Sequence, residues 1–364
     1  MINLNYQPSL ALLCLVFIIC GCETQRVSDL TYKLVPFSEL PSFEKDSIIE
    51  AIPALKKSCA VMLKQGNKTY PIPQNSNLTG TLKDWRPFCQ AVVAEHIRQP
   101  SHWKALLQKH LIPYKLSLND NYDGQFTGYY EPLLHGSKRR HGRYTTPLYR
   151  YPDNKSTNVK FSRADIVRGA LKGKKLELVW VDDAVDAFFL QIQGSGRVKL
   201  ENGEMLRIGY AGTNKHAYHP IGKTLLDRGE LPRGGVSMQS IRKWLKAHPK
   251  HAEEIMSTNE SYVFFRDLTN IDGPVGSQGV GLTAKRSLAV DPFYIGLGTP
   301  LWVDIDHPEN GHQRLQHLTV AQDTGGAIKG GLRADYFWGF GHEATQYAGR
   351  MNSKGHLYVL LPKS

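Results

Sequence analysis

The sequence predicts a mainly β protein with α+β elements, and three observations carry that reading. From residue 262 onward, short apolar runs alternate with glycine-rich turns and finish on Leu357-Tyr358-Val359-Leu360-Leu361, the pattern of a β-barrel. Between roughly residues 133 and 265, strand-like runs alternate with helical ones. In the last quarter of the chain, three apolar runs each deliver an aspartate to a turn: Asp291, Asp323 and Asp335.

The chain begins with an apolar run over residues 10–19. A bilayer span needs about 20 apolar residues, so this run is too short to cross and fits a signal segment. It ends in Ile19-Cys20-Gly21-Cys22, which resembles a bacterial lipobox with Cys22 as the lipid-bearing mature N-terminus. Residues 1–9 lack the Lys or Arg usual ahead of such a run. Glu23 follows Cys22, where an Asp would retain a lipoprotein in the inner membrane. The expectation is therefore an outer-membrane, lipid-anchored protein facing the periplasm, with residues 1–21 removed.

Residues 42–113 read as helical, punctuated by Pro53, Pro87, Pro100 and Pro113. Ile48, Ile52, Leu55, Cys59 and Met62 form one apolar face; Phe88 and Val92 form another, with Cys89 alongside. Cys59 and Cys89 are the only cysteines after Cys22. In an oxidising compartment they either pair or remain as two buried thiols. Neither has the electropositive setting of a nucleophile. Phe126-Thr127-Gly128-Tyr129-Tyr130 then opens β structure. Leu176-Glu177-Leu178-Val179-Trp180-Val181 and Ala187-Phe188-Phe189-Leu190-Gln191-Ile192 are strand-like, and residues 221–228 and 238–247 are helical.

The stretch Ala321-Gln322-Asp323-Thr324-Gly325-Gly326-Ala327-Ile328-Lys329-Gly330, continuing to Asp335-Tyr336-Phe337, organises the rest. Gly325 and Gly326 suit positive φ or a close approach by another group. An aspartate after a strand commonly caps its own turn; three such units close together point instead to carboxylates meeting at one end of a β structure. Asp323-Thr324-Gly325 is also the local signature of an aspartic protease, but one copy would require a dimer.

These residues carry a family resemblance. The C-terminal segment resembles the domain named for its three aspartates. Together with Phe126-Thr127-Gly128-Tyr129-Tyr130-Glu131-Pro132, Gln191-Ile192-Gln193-Gly194-Ser195-Gly196 and Tyr210-Ala211-Gly212-Thr213-Asn214, it makes the mature chain similar to the membrane-bound lytic murein transglycosylase A family. The resemblance implies a double-psi β-barrel built from residues 22–132 and 266–364, a second β-rich domain inserted at 133–265, and a substrate groove between them. It also implies a peptidoglycan lytic exotransglycosylase. Such an enzyme cleaves the β-1,4 bond between N-acetylmuramic acid and N-acetylglucosamine and leaves 1,6-anhydro ends. Asp335 would be the catalytic acid and Asp323 its supporting carboxylate. Thr127, Gln193 and Ser195 would contact substrate. Tyr129 and Tyr130 offer faces for sugar stacking, and Asp291 stands between a substrate role and a turn role. Peptidoglycan strands are the expected partner, with outer-membrane lipid at the anchor and a cell-wall synthesis or remodelling complex beyond.

Composition fits that compartment. The chain has 364 residues, 41% of them hydrophobic, and a formal net charge of +12, enough for two domains with real cores. Nucleic acid is the usual partner of so basic a chain, but export argues for an anionic polymer or lipid surface instead. His216 and His219 lack an accompanying acidic or Cys cluster, so no metal is expected; no phosphate loop or dinucleotide fingerprint asks for a cofactor. A non-catalytic glycan-binding lipoprotein is the alternative, since fold alone does not decide activity.

Overall fold

The computed structural model describes residues 30–65, 81–152, 160–268, 273–309 and 312–363; the signal run and Cys22 lie outside them. The N-terminal part contains β1 (Leu30–Leu34), α1 (Ile52–Lys64), α2 (Leu82–Ala94), α3 (Pro100–His110), β2 (Leu111–Leu118) and β3 (Gly124–Glu131). The expected faces of α1 and α2 are buried against each other, and Cys59 and Cys89 are disulfide-bonded with Cα atoms 4.7 Å apart. A bridge across a separation of 30 residues stabilises the fold by about 3–4 kcal/mol on the loop-entropy account. Pro87 does not punctuate; it sits inside α2. The Thr81–Asp84 capping box and the buried Trp85, Phe88 and Val92 hold that helix through it.

The middle segment contributes β4 (Leu133–Ser137), β5 (Thr146–Tyr149), α4 (Arg163–Val167), β6 (Glu177–Val181), α5 (Ala184–Gln193), β7 (Ser195–Leu200), β8 (Met205–Thr213), α6 (Ile221–Asp227), α7 (Met238–Ala247), α8 (Pro249–Ser257) and β9 (Val263–Asp267). Its strands form one sheet in the order β5-β6-β4-β7-β8-β9. One expectation fails here. The run Ala187-Phe188-Phe189-Leu190-Gln191-Ile192 is helix, not strand. The Asp183 carboxylate accepts from the Val185 and Asp186 amides, and Gly194 ends the helix at φ +78°. Because α5 is buried nearly all round, the run lacks the helical period that would have identified it.

The last segment holds β10 (Ser287–Val290), β11 (Pro300–Asp306), β12 (Arg314–Asp323), β13 (Arg333–Phe340), α9 (His342–Arg350) and β14 (Asn352–Pro362). Six strands close on themselves in the order β3-β14-β11-β12-β10-β13, with β13 returning to β3. The pairs β10–β12 and β3–β13 are parallel and the others antiparallel, so the barrel is mixed. β2 and β1 extend the sheet outward from β14. Trp302, Tyr336, Phe126, Leu288 and Val320 fill its interior. The N-terminal segment is locked on by a buried ion pair: Arg286 donates to both Asp46 oxygens, at 3.0 and 3.1 Å, while the Leu318 amide donates to one of them.

α9 was not expected, because only Ala344 and Ala348 of its nine residues are buried and its apolar period is faint. Those small side chains let it lie directly on β3. A Cβ added to Gly128 would come within 2.8 Å of both the Ala348 Cα and the Trp338 ring. Neither can retreat cheaply, one being backbone and the other a core ring. Gly128→Ala is therefore expected to lower unfolding free energy by about 1–3 kcal/mol, read as a reduced guanidinium midpoint at unchanged slope. An unchanged midpoint would show that α9 can lift from β3 at no cost.

Candidate active site

Strand alternation divides β13 between two surroundings. Ala334, Tyr336 and Trp338 belong to the barrel core, while Asp335 and Phe337 point to its other face. On β3 the same rule sends Phe126 and Tyr130 inward and Thr127 and Tyr129 outward. β3 and β13 run parallel with Thr127 opposite Asp335, and β10 and β13 run antiparallel with Ala289 opposite Asp335. Asp323, the last residue of β12, also stands opposite Ala289 across a register shift. The two carboxylates thus flank one small residue on β10, and a large side chain there would wedge between them.

Each carboxylate has its own setting. The Thr127 hydroxyl donates to Asp335 Oδ1 at 2.9 Å. Arg333 donates to that same hydroxyl oxygen at 2.7 Å, so the threonine proton can only point to the aspartate. Burial pushes Asp335 up to about 6; Thr127 and Arg333 oppose the rise, and the Asp323 charge adds to it. With Oδ1 occupied as an acceptor, Oδ2 is the oxygen left to carry a proton. Burial also raises Asp323, but here three donors meet one oxygen. The Ser277 amide, the Ser277 hydroxyl and the Thr324 amide each lie 2.9 Å from Asp323 Oδ1. That arrangement favours the ionised form of Asp323 and leaves the proton to Asp335.

Tyr129 lies against both. Its ring packs on Phe337 with centroids 5.0 Å apart, together with Leu282 and Ala289. Its buried hydroxyl makes no hydrogen bond of ordinary geometry. Burial first, then the charges of Asp323 and Asp335, hold its proton on far above the usual phenol range.

The other expected residues are placed differently. Asp291 is buried; its Oδ1 accepts from the Phe293 amide at 3.1 Å and its Oδ2 from the Gly330 amide at 2.8 Å. It clamps its own turn to the loop joining Asp323 and Asp335, the turn role weighed beside the substrate one. Tyr130 faces away from the carboxylates and lines a cavity of about 240 Å³ with Asp186, Arg242 and Phe340. Its amide donates to Gln193 Oε1 at 2.9 Å, which fastens the end of α5 to β3 beside Tyr129. Ser195 follows as the first residue of β7, paired with Gly209. Neither Gly325 nor Gly326 has positive φ; that conformation falls on Gly330, at +103°. Gly325 instead meets Ile328, whose side chain would lie 2.7 Å from an added Cβ.

Ser277 and Arg333 were not foreseen. Arg333 stands two residues before Asp335, so strand alternation could have put both on one face. Ser277 left no such signal. Its loop reaches Asp323 through tertiary folding, with Gly276 approaching the Gln322 carbonyl and Gln278 donating to that carbonyl at 3.1 Å. Among the described residues no cluster of His, Cys, Asp and Glu could hold a metal ion.

Two family models match the chain: the MltA specific insert domain over residues 125–266 and the 3D domain over residues 286–361. The membrane-bound lytic murein transglycosylase A of Escherichia coli K12 is 36% identical over 277 residues, 74% of this chain and 74% of that protein. The crystal structure of a membrane-bound lytic murein transglycosylase from Agrobacterium tumefaciens is 29% identical with a TM-score of 0.80, covering 91% of this chain and 98% of that one. Escherichia coli MltA with bound chitohexaose is 28% identical with a TM-score of 0.73, covering 92% and 95%.

The raised Asp335 carries a sign that can be measured. In the fold it keeps its proton to about pH 6; unfolded, only to its ordinary value of 3.8. The native state therefore binds more protons in that window. The stability this contributes is full below about pH 3.8 and is lost as pH rises through 6. Asp335→Asn, neutral throughout, is expected to be about 1–3 kcal/mol more stable than wild type at neutral pH, and equal to it near pH 3. Guanidinium unfolding at both pH values tests this; a variant weaker at neutral pH would mean the fold welcomes the charge.

Proposed function

Because the chain belongs to the membrane-bound lytic murein transglycosylase A family, we propose that Asp335 is the acid with which it opens glycan strands. The protein is a lytic transglycosylase acting on peptidoglycan, cleaving the β-1,4 bond between N-acetylmuramic acid and N-acetylglucosamine. One observation carries the residue assignment: a carboxyl raised to about 6, held through one oxygen by a fixed hydroxyl, beside a second carboxylate tied up by three donors.

The steps follow from that asymmetry. Asp335 Oδ2 gives its proton to the glycosidic oxygen as the bond to C1 breaks and positive charge grows on the muramic ring. The ionised Asp323 and the newly ionised Asp335 both favour that charge. Asp335, now a base, takes the proton of the muramic 6-hydroxyl, whose oxygen closes onto C1. The product carries a 1,6-anhydro bond, and no water is consumed. The attack is intramolecular, so the hydroxyl needs no separate binding step. Asp323 is a weak candidate for a sugar nucleophile because its Oδ1 already accepts three hydrogen bonds.

Thr127 is a positioning residue for Asp335, and Tyr129 offers its ring edge to the bound sugar while its buried hydroxyl faces Asp323. Gln193 and Ser195, at the end of α5 and the start of β7, would meet the strand from the inserted segment at 133–265, with the groove between that segment and the barrel face. Tyr130 would act by holding Gln193 through its amide. Support for a glycan ligand comes from the relative crystallised with chitohexaose. For location, we propose lipid attachment at Cys22 and an outer-membrane position facing the periplasm. Among the described residues no helix is long and apolar enough to cross a membrane.

The test is mass spectrometry of soluble products released from purified peptidoglycan. Wild type is expected to give 1,6-anhydro ends, and Asp335→Asn is expected to lose about 10³-fold or more in rate. Above pH 6 the wild-type rate should fall about tenfold per pH unit, as the acid loses its proton. Reducing ends would mean hydrolysis, and anhydro products from both proteins would remove Asp335 from this role.

A further inference from the structure

The second sheet carries a cavity of about 260 Å³ that the reaction above does not use. α4, α5, α8 and β5 enclose it. Arg163 lines it and is only 4% exposed. Its Nε donates to the Asn259 carbonyl at 2.8 Å and its Nη2 to the Ser261 carbonyl at 2.6 Å. Its guanidinium lies 4.6 Å from the Phe188 ring centroid and 5.3 Å from that of Tyr262. Among the described residues no carboxylate pairs with it. Among the described residues the only acidic side chain lining the cavity is Glu253, exposed at its rim.

A buried cation is costly unless a counter-charge meets it. Two carbonyls and two ring faces soften that cost without cancelling the charge, and burial holds the guanidinium down to about 10. Two of its five N–H groups are committed. A second polar group faces the same space: Gln191, 5% exposed, whose amide is engaged with the Tyr262 hydroxyl while its Oε1 accepts no hydrogen bond. The cavity therefore presents one demand for an anion and one for an N–H donor. Ile166, Phe188 and Met256 supply apolar wall between them.

We propose that this cavity binds the C-terminal end of a short peptide, the α-carboxylate on Arg163 and the terminal amide N–H on Gln191 Oε1. The volume suits one small residue and its amide, below the ~300–1,000 Å³ of drug-sized sites. If the peptidoglycan reading holds, and on that clause the natural source rests, the ligand is the free end of a peptide stem. A physical link to the reaction exists. α5 presents Ala184, Ala187, Phe188 and Gln191 to the cavity, and its own end carries Gln193, bonded to β3 beside Tyr129.

Titration calorimetry of the full chain with N-acetyl-D-alanyl-D-alanine and with its C-terminal amide tests the proposal. The acid is expected to bind, and the amide about tenfold more weakly or worse. Arg163→Lys and Gln191→Leu should each weaken the acid by about fivefold or more. Gln191→Leu keeps the size of the side chain and touches no backbone tie, so it stands if the arginine variant fails to fold. A second arm compares KM for stem-bearing strands and strands stripped of peptide. No binding of the free acid, combined with a KM advantage for stem-bearing strands that Gln191→Leu abolishes, would mean the site takes stems only on the strand, and would support it. Equal binding of acid and amide would overturn the proposal. So would acid binding untouched by Gln191→Leu, or no free binding with equal KM for the two strands. Anhydro ends are scored in parallel. Their absence would overturn the transglycosylase reading while the peptide titration still judges the cavity.

Discussion

The pairing of β3 with β13 and β14 closes the barrel, and the rest of the site depends on that closure. β3 lies about 200 residues earlier in the chain than β13, with the whole second sheet between them. The ordering entropy of so long a loop is offset only because β3 satisfies the backbone groups of two strands at once. The same register sets Thr127 opposite Asp335. Gly128, between Thr127 and Tyr129, keeps α9 close on the other side of the strand. Closure and chemistry are therefore one constraint. A single-residue slip of β3 would turn Thr127 into the core and Phe126 toward the carboxylates.

Within that frame the two aspartates differ through their hydrogen-bond partners more than their burial. Both are raised by burial. Asp335 has one side-chain donor; Asp323 has three donors on a single oxygen. Charge–charge repulsion across Ala289 then makes it cheaper for the less-solvated-by-donors partner to hold the proton. In the proposed reading, an acid and a neighbouring anion result from the same residue type in two settings. The arginine nearby, Arg333, contributes indirectly. It orients the Thr127 hydroxyl, and its charge only partly opposes the rise of Asp335.

The second sheet shows the same logic with the signs reversed. Arg163 ties two carbonyls of the Asn259–Ser261 turn to α4, and Asn214 ties α4 and the same turn to β8 by donating to the Phe161 and Glu260 carbonyls. The arrangement holds the helices around the cavity while leaving the cation uncompensated. α5 then joins this region to the barrel, because Val185, Phe188 and Phe189 pack among α6, α7 and α8 and its last residue, Gln193, bonds to β3.

How much of this was legible in the sequence depends on range. The faces of α1 and α2, the two helices at 221–227 and 238–247, and the strand–aspartate units were readable because their signals are local: spacing, caps and turn residues. The segment at 187–192 and α9 were not. Burial on every side erased the period of the first, and a nearly all-polar surface left the second only two alanines to announce it. The three aspartates could be picked out from their turns, but their division of labour came from the family resemblance and not from local pattern. Asp291 clamps backbone, Asp323 gathers donors and Asp335 is left to carry the proton. That division rests on Ser277, Thr127 and Gly330 arriving from other segments. Composition and local pattern determined which groups were available; only the folded chain decided which oxygen would be desolvated and which would be saturated with donors, because each of those quantities is a sum over neighbours distant in sequence.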